Sequence, residues 1–163
     1  MNRRWLILAG LFWVLAIAGW SIAENEAILA RGRAVRLELA PVDPRSLLQG
    51  DYMALNYAVQ NVVRGSAPRE DGFVVVRLDE RGVGKYLRTQ PAAEPLAGDE
   101  IALRYRIRGR GVRIATNAFF FQEGDEPTYR NARFGEFRVA ANGEPRLVAL
   151  LDANLQKLGD NRF

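Results

Sequence analysis

The order of hydrophobic and polar positions divides the chain into two unlike parts. From Trp5 to Ala23 only Gly10, Gly19 and Ser21 fall outside the hydrophobic set, and no charge interrupts the run. Its 19 residues match the ~20 needed to cross a hydrocarbon core about 30 Å thick at about 1.5 Å per residue. No polar face exists along it, unlike the amphipathic helix of a soluble core. Ser21 to Arg31 is rich in helix formers and stops at Gly32, so the spacing predicts a helix running a turn or two past the apolar run. Residues 1–31 thus read as a transmembrane anchor with a short extension, and 32–163 as a separate β-rich domain.

Beyond Gly32 the period falls to two. Residues 33–40 alternate, with Val35, Leu37 and Leu39 on one face and Arg36 and Glu38 on the other, the pattern of a half-buried strand. Pro41 and Pro44 bracket a turn before a second strand at Asp51–Val59, and 64–72 is a loop by composition. Phe73–Leu78 reads as a well-buried strand, followed by a turn at 79–82 and a strand near Val83–Arg88. Pro91 and Pro95 flank a loop, and Glu100–Arg108 alternates strictly. Phe119–Phe121 is short and apolar, and 125–134 suits a helical turn. Asn142-Gly143 between FRVA and LVALL is a hairpin signal. Asp152 to Leu158 reads as helix with Asp152 as N-cap. The class is mainly β: one N-terminal transmembrane helix, then an antiparallel β barrel or sandwich with short helical segments.

Charge adds orientation. Arg3 and Arg4 precede the apolar run and Glu24 and Glu26 follow it, so the positive-inside rule puts the N-terminus in the cytoplasm and residues 24–163 outside, on an inner (cytoplasmic) membrane. Trp5 and Trp20 stand near the two ends of the run, as interfacial indoles do. A cleaved signal peptide competes, since Ser21 and Ala23 fit small-residue cleavage positions; the run exceeds the usual 7–15-residue core of such a peptide, which favours an uncleaved anchor. Of the formal charge of +4, two units are Arg3 and Arg4, which leaves 21 bases against 19 acids. A near-neutral domain argues against nucleic-acid binding. There is no Cys and no His, which removes disulfides, thiolate chemistry, the commonest general base and the commonest transition-metal ligand.

Residues 50–57, G-D-Y-M-A-L-N-Y, echo 98–105, G-D-E-I-A-L-R-Y. A recurring turn-into-strand pattern explains the echo, with glycine and aspartate forming the turn; a duplicated two-strand unit is the alternative. The first copy, preceded by P-V-D-P-R-S-L-L-Q, resembles the signature of the bacterial GDYXXLXY family. Gly50, Asp51, Tyr52, Leu55 and Tyr57 fill its five named positions, and the resemblance extends through F-Q-E-G at 121–124 and Y-R-N-A-R-F-G-E at 129–136. It implies a membrane-anchored bacterial protein with a polytopic membrane protein as partner, and it brings no mechanism. In structural terms, Gly50 and Asp51 make the turn while Leu55 and Tyr57 point into the core. A functional version has Arg45, Asp51 and Tyr52 lining a site.

Two further groups carry candidate binding chemistry. Arg104, Arg106, Arg108 and Arg110 alternate along one strand face, and Arg113 extends them. A solvated outer face explains them, and so would contact with phospholipid headgroups or with acidic loops of a partner. Glu100 begins the same face. The second group is Glu123, Tyr129, Arg130 and Arg133 around F-F-F-Q-E-G-D-E-P-T-Y-R; three consecutive phenylalanines cannot all enter one core from one strand. Catalysis has little to draw on: the hydroxyl nucleophiles are Ser46, Ser66, Thr89, Thr116 and Thr128, and a Ser46/Lys85 dyad needs a buried, neutral lysine. Glu123 with Asp125 or Glu126 lacks calcium-loop spacing. The expectation is a non-enzymatic, extracytoplasmic accessory or binding module for a membrane protein, with no catalytic residue, metal or cofactor. The inner membrane bilayer and a polytopic protein are its expected partners. A periplasmic Ser/Lys hydrolase and a lipid-contacting structural domain are the alternatives.

Overall fold

A computed structural model describes residues 3–40, 52–109, 111–121 and 124–160. Helix α1 spans Arg3–Arg31. Its segment Ile7–Arg31 is long and apolar enough to cross a membrane, and none of its apolar window is buried against the rest of the chain. Ile28, 7% exposed, is the described residue of α1 that enters the core. The helix ends where the sequence places its stop: the Gly32 N–H donates to the Ile28 carbonyl at 2.8 Å.

Strand β1 (Arg33–Glu38) follows without a linker, with Val35 and Leu37 fully buried. The expected strand at Asp51–Val59 is largely overturned. Only Tyr52–Ala54 forms a strand, β2, and Ala58–Gly65 is a helix, α2; position 51 lies outside the described residues. Val59 and Val63 lie four apart and share the buried side of α2 with Gln60. Tyr57, in an extended conformation, accepts the Gln60 and Asn61 N–H groups at its carbonyl and starts the helix.

Strands β3 (Gly72–Leu78), β4 (Gly84–Gln90), β5 (Glu100–Arg108) and β6 (Gly111–Arg113) form one antiparallel sheet in the order β4-β3-β5-β6. Val74, Val75 and Val76 of β3 are all fully buried, so this central strand is covered on both faces. Strand β7 (Ala118–Phe120) pairs with β2. After a single helical turn, α3 (Glu126–Tyr129), strands β8 (Phe134–Val139), β9 (Pro145–Leu151) and β10 (Lys157–Asp160) complete a second sheet, β1-β8-β9-β10. The helix expected at 152–158 is therefore a turn and a strand. Asp152 does cap backbone, but its Oδ1 accepts the Asn154 and Gln156 N–H groups, both at 2.8 Å, and folds the chain back so that β10 covers the edge of β9.

The β8–β9 hairpin is present. Its loop is closed by the Gly143 N–H on the Ala140 carbonyl and the Ala140 N–H on the Glu144 carbonyl. Gly143 has φ +81°, and a Cβ there would stand 2.8 Å from the Phe73 ring. The two large sheets meet where Arg36 bridges Val83 and where the Gly143 carbonyl accepts the Arg104 N–H at 2.8 Å. The result is a mainly antiparallel, barrel-like β unit behind one apolar helix, as the patterning predicts.

Candidate functional site

The signature segment is a seam. Gly50 and Asp51 lie outside the described residues; Tyr52, Leu55 and Tyr57 are within them. On one side β2 pairs with β7, and the Leu55 N–H donates to the Asn117 carbonyl at 2.8 Å. On the other, Tyr57 bridges Leu39, and the Ala40 N–H reaches the Asn56 carbonyl at 2.8 Å. Met53, Leu55 and Tyr57 are buried. The Tyr57 hydroxyl donates to the Thr116 carbonyl at 2.8 Å, and its ring meets Phe137 edge-on at 5.4 Å. Burial raises the Tyr57 phenol far above its ordinary value. Tyr52 is half-buried beside Phe120, ring centroids 5.9 Å apart. In the echo, Ile101, Leu103 and Tyr105 are likewise buried, but on a nine-residue strand between β3 and β6. The two copies share a strand pattern and have different sheet neighbours.

The arginine face of β5 divides. Glu100, at its start, belongs to another network and is 5% exposed. Arg88 of β4 reaches across β3 to it, Nη1 to Oε1 at 3.1 Å and Nη2 to Oε2 at 2.9 Å, with Arg77 at 3.6 Å. The Arg88 hydrogen bonds, then the Ala97 N–H, hold the Glu100 carboxyl down to about 2, against an ordinary 4.5. A lowered folded-state value means that the stability contributed by this carboxylate is fully present above about pH 4.5 and is lost as pH falls toward 2. Unfolding temperature measured across that window should fall less steeply for Glu100→Gln than for the parent; identical slopes would contradict the assignment.

Further along β5 the arginines gather around one carboxylate. Arg106 lies directly opposite Arg113 in the β5–β6 register, and Arg108 opposite Gly111. Glu144, at the base of the β8–β9 hairpin, accepts from both terminal nitrogens of Arg106, with Nη1 to Oε2 at 3.2 Å, and stands 3.7 Å from Arg104. Arg146, two residues on, donates its Nε to Asn25 Oδ1 on α1 at 3.1 Å. Arg106, Arg108, Arg113, Glu144 and Arg146 line a cleft of about 480 Å³: four guanidiniums and one carboxylate. The Arg113 guanidinium has no hydrogen-bond or ion-pair partner among the described residues, and Arg108 donates only to its neighbour's carbonyl, Ile107, at 3.0 Å. A guanidinium is a planar fork suited to carboxylate or phosphate oxygens, so this cleft can hold an anion. A second cleft, of about 540 Å³, runs between the last turns of α1, the 93–96 segment and the hairpin tip, with Ile28, Ala102 and Val139 in its lining.

Arg106 and Arg108 are thus brought together as the alternation predicts. Arg104 shares Glu144 but does not line the cleft. Arg45, Arg110 and Glu123 lie outside the described residues. Arg130 and Arg133 are exposed around α3 and β8, apart from the cleft. Sequence reasoning missed Glu144 and Arg146, whose separation from Arg106 hides them; the hairpin signal beside them was the available clue. The three phenylalanines separate as expected. Phe119 is fully buried, Phe120 is 49% exposed, and Phe121 lies under Tyr129, ring centroids 5.3 Å apart. Lys85 is well exposed, with its Nζ 3.4 Å from Glu38 Oε2, so the burial a Ser/Lys dyad needs is absent there; Ser46 is outside the described residues. Among the described residues no group of three or more acidic side chains is placed to hold a metal ion.

A family model described as GDYXXLXY protein matches residues 14–150. No curated protein and no solved structure matches the chain.

Proposed function

The chain belongs to the GDYXXLXY family, and we propose that it acts as a single-pass, membrane-anchored extracytoplasmic β domain, a non-catalytic accessory module for a membrane-embedded protein. In this reading α1 crosses the inner membrane with Arg3 and Arg4 on the cytoplasmic side, and residues 24–163 are periplasmic. The observation that carries it is the rigid joint between helix and domain. Ile28 is buried, Arg146 holds Asn25, and Arg33 donates to the Glu100 and Gly98 carbonyls at 2.7 and 2.9 Å. An enzyme acting on soluble substrate gains nothing from being clamped to its anchor. A module that must present one face to a neighbour in the same bilayer does.

Crosslinking the full chain in native membranes, followed by pull-down, should recover a polytopic protein; recovery of lipid and self-adducts alone would sink the accessory reading. Lys85→Met should leave that crosslink in place and cost under about 1 kcal/mol, because its ion pair is solvent-exposed. Loss of the crosslink in a folded Lys85→Met protein would instead mean that docking depends on this lysine.

A further inference from the structure

We propose that the arginine cleft between β5–β6 and the base of the β8–β9 hairpin binds the phosphate of an anionic phospholipid headgroup, in the leaflet from which α1 emerges. The inference rests on α1 crossing a membrane, and it gives the anchored module a lipid ligand.

The first ground is height. Arg146 is hydrogen-bonded to Asn25, and Asn25 is two residues beyond Ala23, where the apolar run ends. At about 1.5 Å per residue that places the contact roughly 3 Å past the hydrocarbon boundary. The headgroup layer of each leaflet is about 5–7 Å deep, so the Arg146 guanidinium stands within it, and the cleft opens beside it.

The second ground is charge placed against the ordinary rule. Like charges directly opposite on neighbouring strands oppose sheet formation. Two such pairs contribute arginines to this cleft: Arg106 faces Arg113 across β5–β6, and Arg138 faces Arg146 across β8–β9. A third, Arg77 opposite Lys85 across β3–β4, is offset by Asp99, Glu100 and Glu38. Glu144 offsets Arg106 and Arg104 only. Arg138 turns to the Gly32 carbonyl at the end of α1, at 3.4 Å, so the Arg138–Arg146 pair lies against the helix end. A phosphate diester offers unprotonated oxygens in the geometry that the unpaired Arg113 fork and the free edge of Arg146 fit. An acidic protein loop could meet the charge, but the cleft's level in the headgroup layer favours a ligand present there at high concentration.

Native mass spectrometry of the full chain in non-ionic detergent reads the ligand directly. With phosphatidylglycerol or phosphatidylcholine added, the parent should retain phosphatidylglycerol selectively. Each basic residue near an anionic surface is worth about a fivefold gain, so Arg113→Gln with Arg146→Gln should weaken retention about 25-fold. Arg113→Lys, which keeps charge but loses the fork, should fall between. Arg81→Gln, in the β3–β4 turn, should match the parent, and unchanged unfolding transitions confirm that the variants are folded. Equal retention of the two lipids, or no loss in the double variant, overturns the proposal. Inorganic phosphate displacing the lipid as well as phosphatidylglycerol does would assign the cleft to a free anion instead. A polytopic protein that still crosslinks while lipid selectivity is absent defeats this inference alone; failure of that crosslink with selectivity intact defeats the accessory reading alone.

Discussion

Tyr57→Ala should abolish cooperative folding of the β domain or come close to it. Truncating a fully buried aromatic side chain costs about 3–5 kcal/mol. Here it also removes the hydroxyl's hydrogen bond to the Thr116 carbonyl at 2.8 Å, a net contribution of about 0.5–1.5 kcal/mol. Those figures are a large share of the 5–15 kcal/mol by which typical domains are stable. Tyr57→Phe separates the two contributions: it keeps the edge-on contact with Phe137 and should cost only the hydrogen-bond part. Urea unfolding of the full chain in detergent, followed by far-UV circular dichroism, checks both. Equal losses for Tyr57→Phe and Tyr57→Ala would mean that the ring contributes little, contrary to its placement. The signature tyrosine is thus explained as the residue that locks β2 and the end of β1 to the start of α2.

Gly32→Val should uncouple the helix from the domain. A Cβ at Gly32 would stand 2.5 Å from the Ile28 carbonyl oxygen and 3.1 Å from both the Arg138 Cβ and the Val139 nitrogen. Backbone on two sides cannot move aside as a flexible side chain can, and overpacking of this kind costs about 1–3 kcal/mol. The strain is relieved most cheaply by lifting α1 off β8, which removes Ile28 from its pocket and Asn25 from Arg146. A disulfide engineered between positions 25 and 146 reports on this: it should form readily in the parent background and poorly with Gly32→Val. Equal crosslinking would show that the joint tolerates a side chain.

Where one face of a strand is buried, the chain declares it. β1, β3 and β5 were legible because alternation, or an unbroken valine run for the doubly covered β3, has no competing explanation over six to nine residues. The 51–59 segment misled for a physical reason. Met53, Leu55, Tyr57 and Val59 continue a period of two, while Val59 and Val63 begin a period of 3.6, and only the backbone turn at Tyr57 decides between them. Asp152 was ambiguous in the same way, since one aspartate can cap a helix or close a turn; the open edge of β9 decided for a strand. At the cleft, alternation showed that Arg106 and Arg108 share a face. That Arg113 would stand opposite Arg106 depends on β6, only three residues long. That Glu144 and Arg146 would join them depends on how two sheets meet, which no local pattern encodes.

The docking of Ile28 also sets the azimuth of everything below it. At about 3.6 residues per turn, Ser21, Ile17, Val14 and Gly10 lie on the same side of α1 as Ile28. With α1 in a bilayer, the β domain overhangs that side as an eave overhangs one wall. A neighbouring helix packed against Gly10 and Ile17 would therefore lie beneath the domain, and one packed on the opposite side would be clear of it. Because the joint has no free rotation, an axial turn of the helix within the membrane swings the whole domain through the same angle.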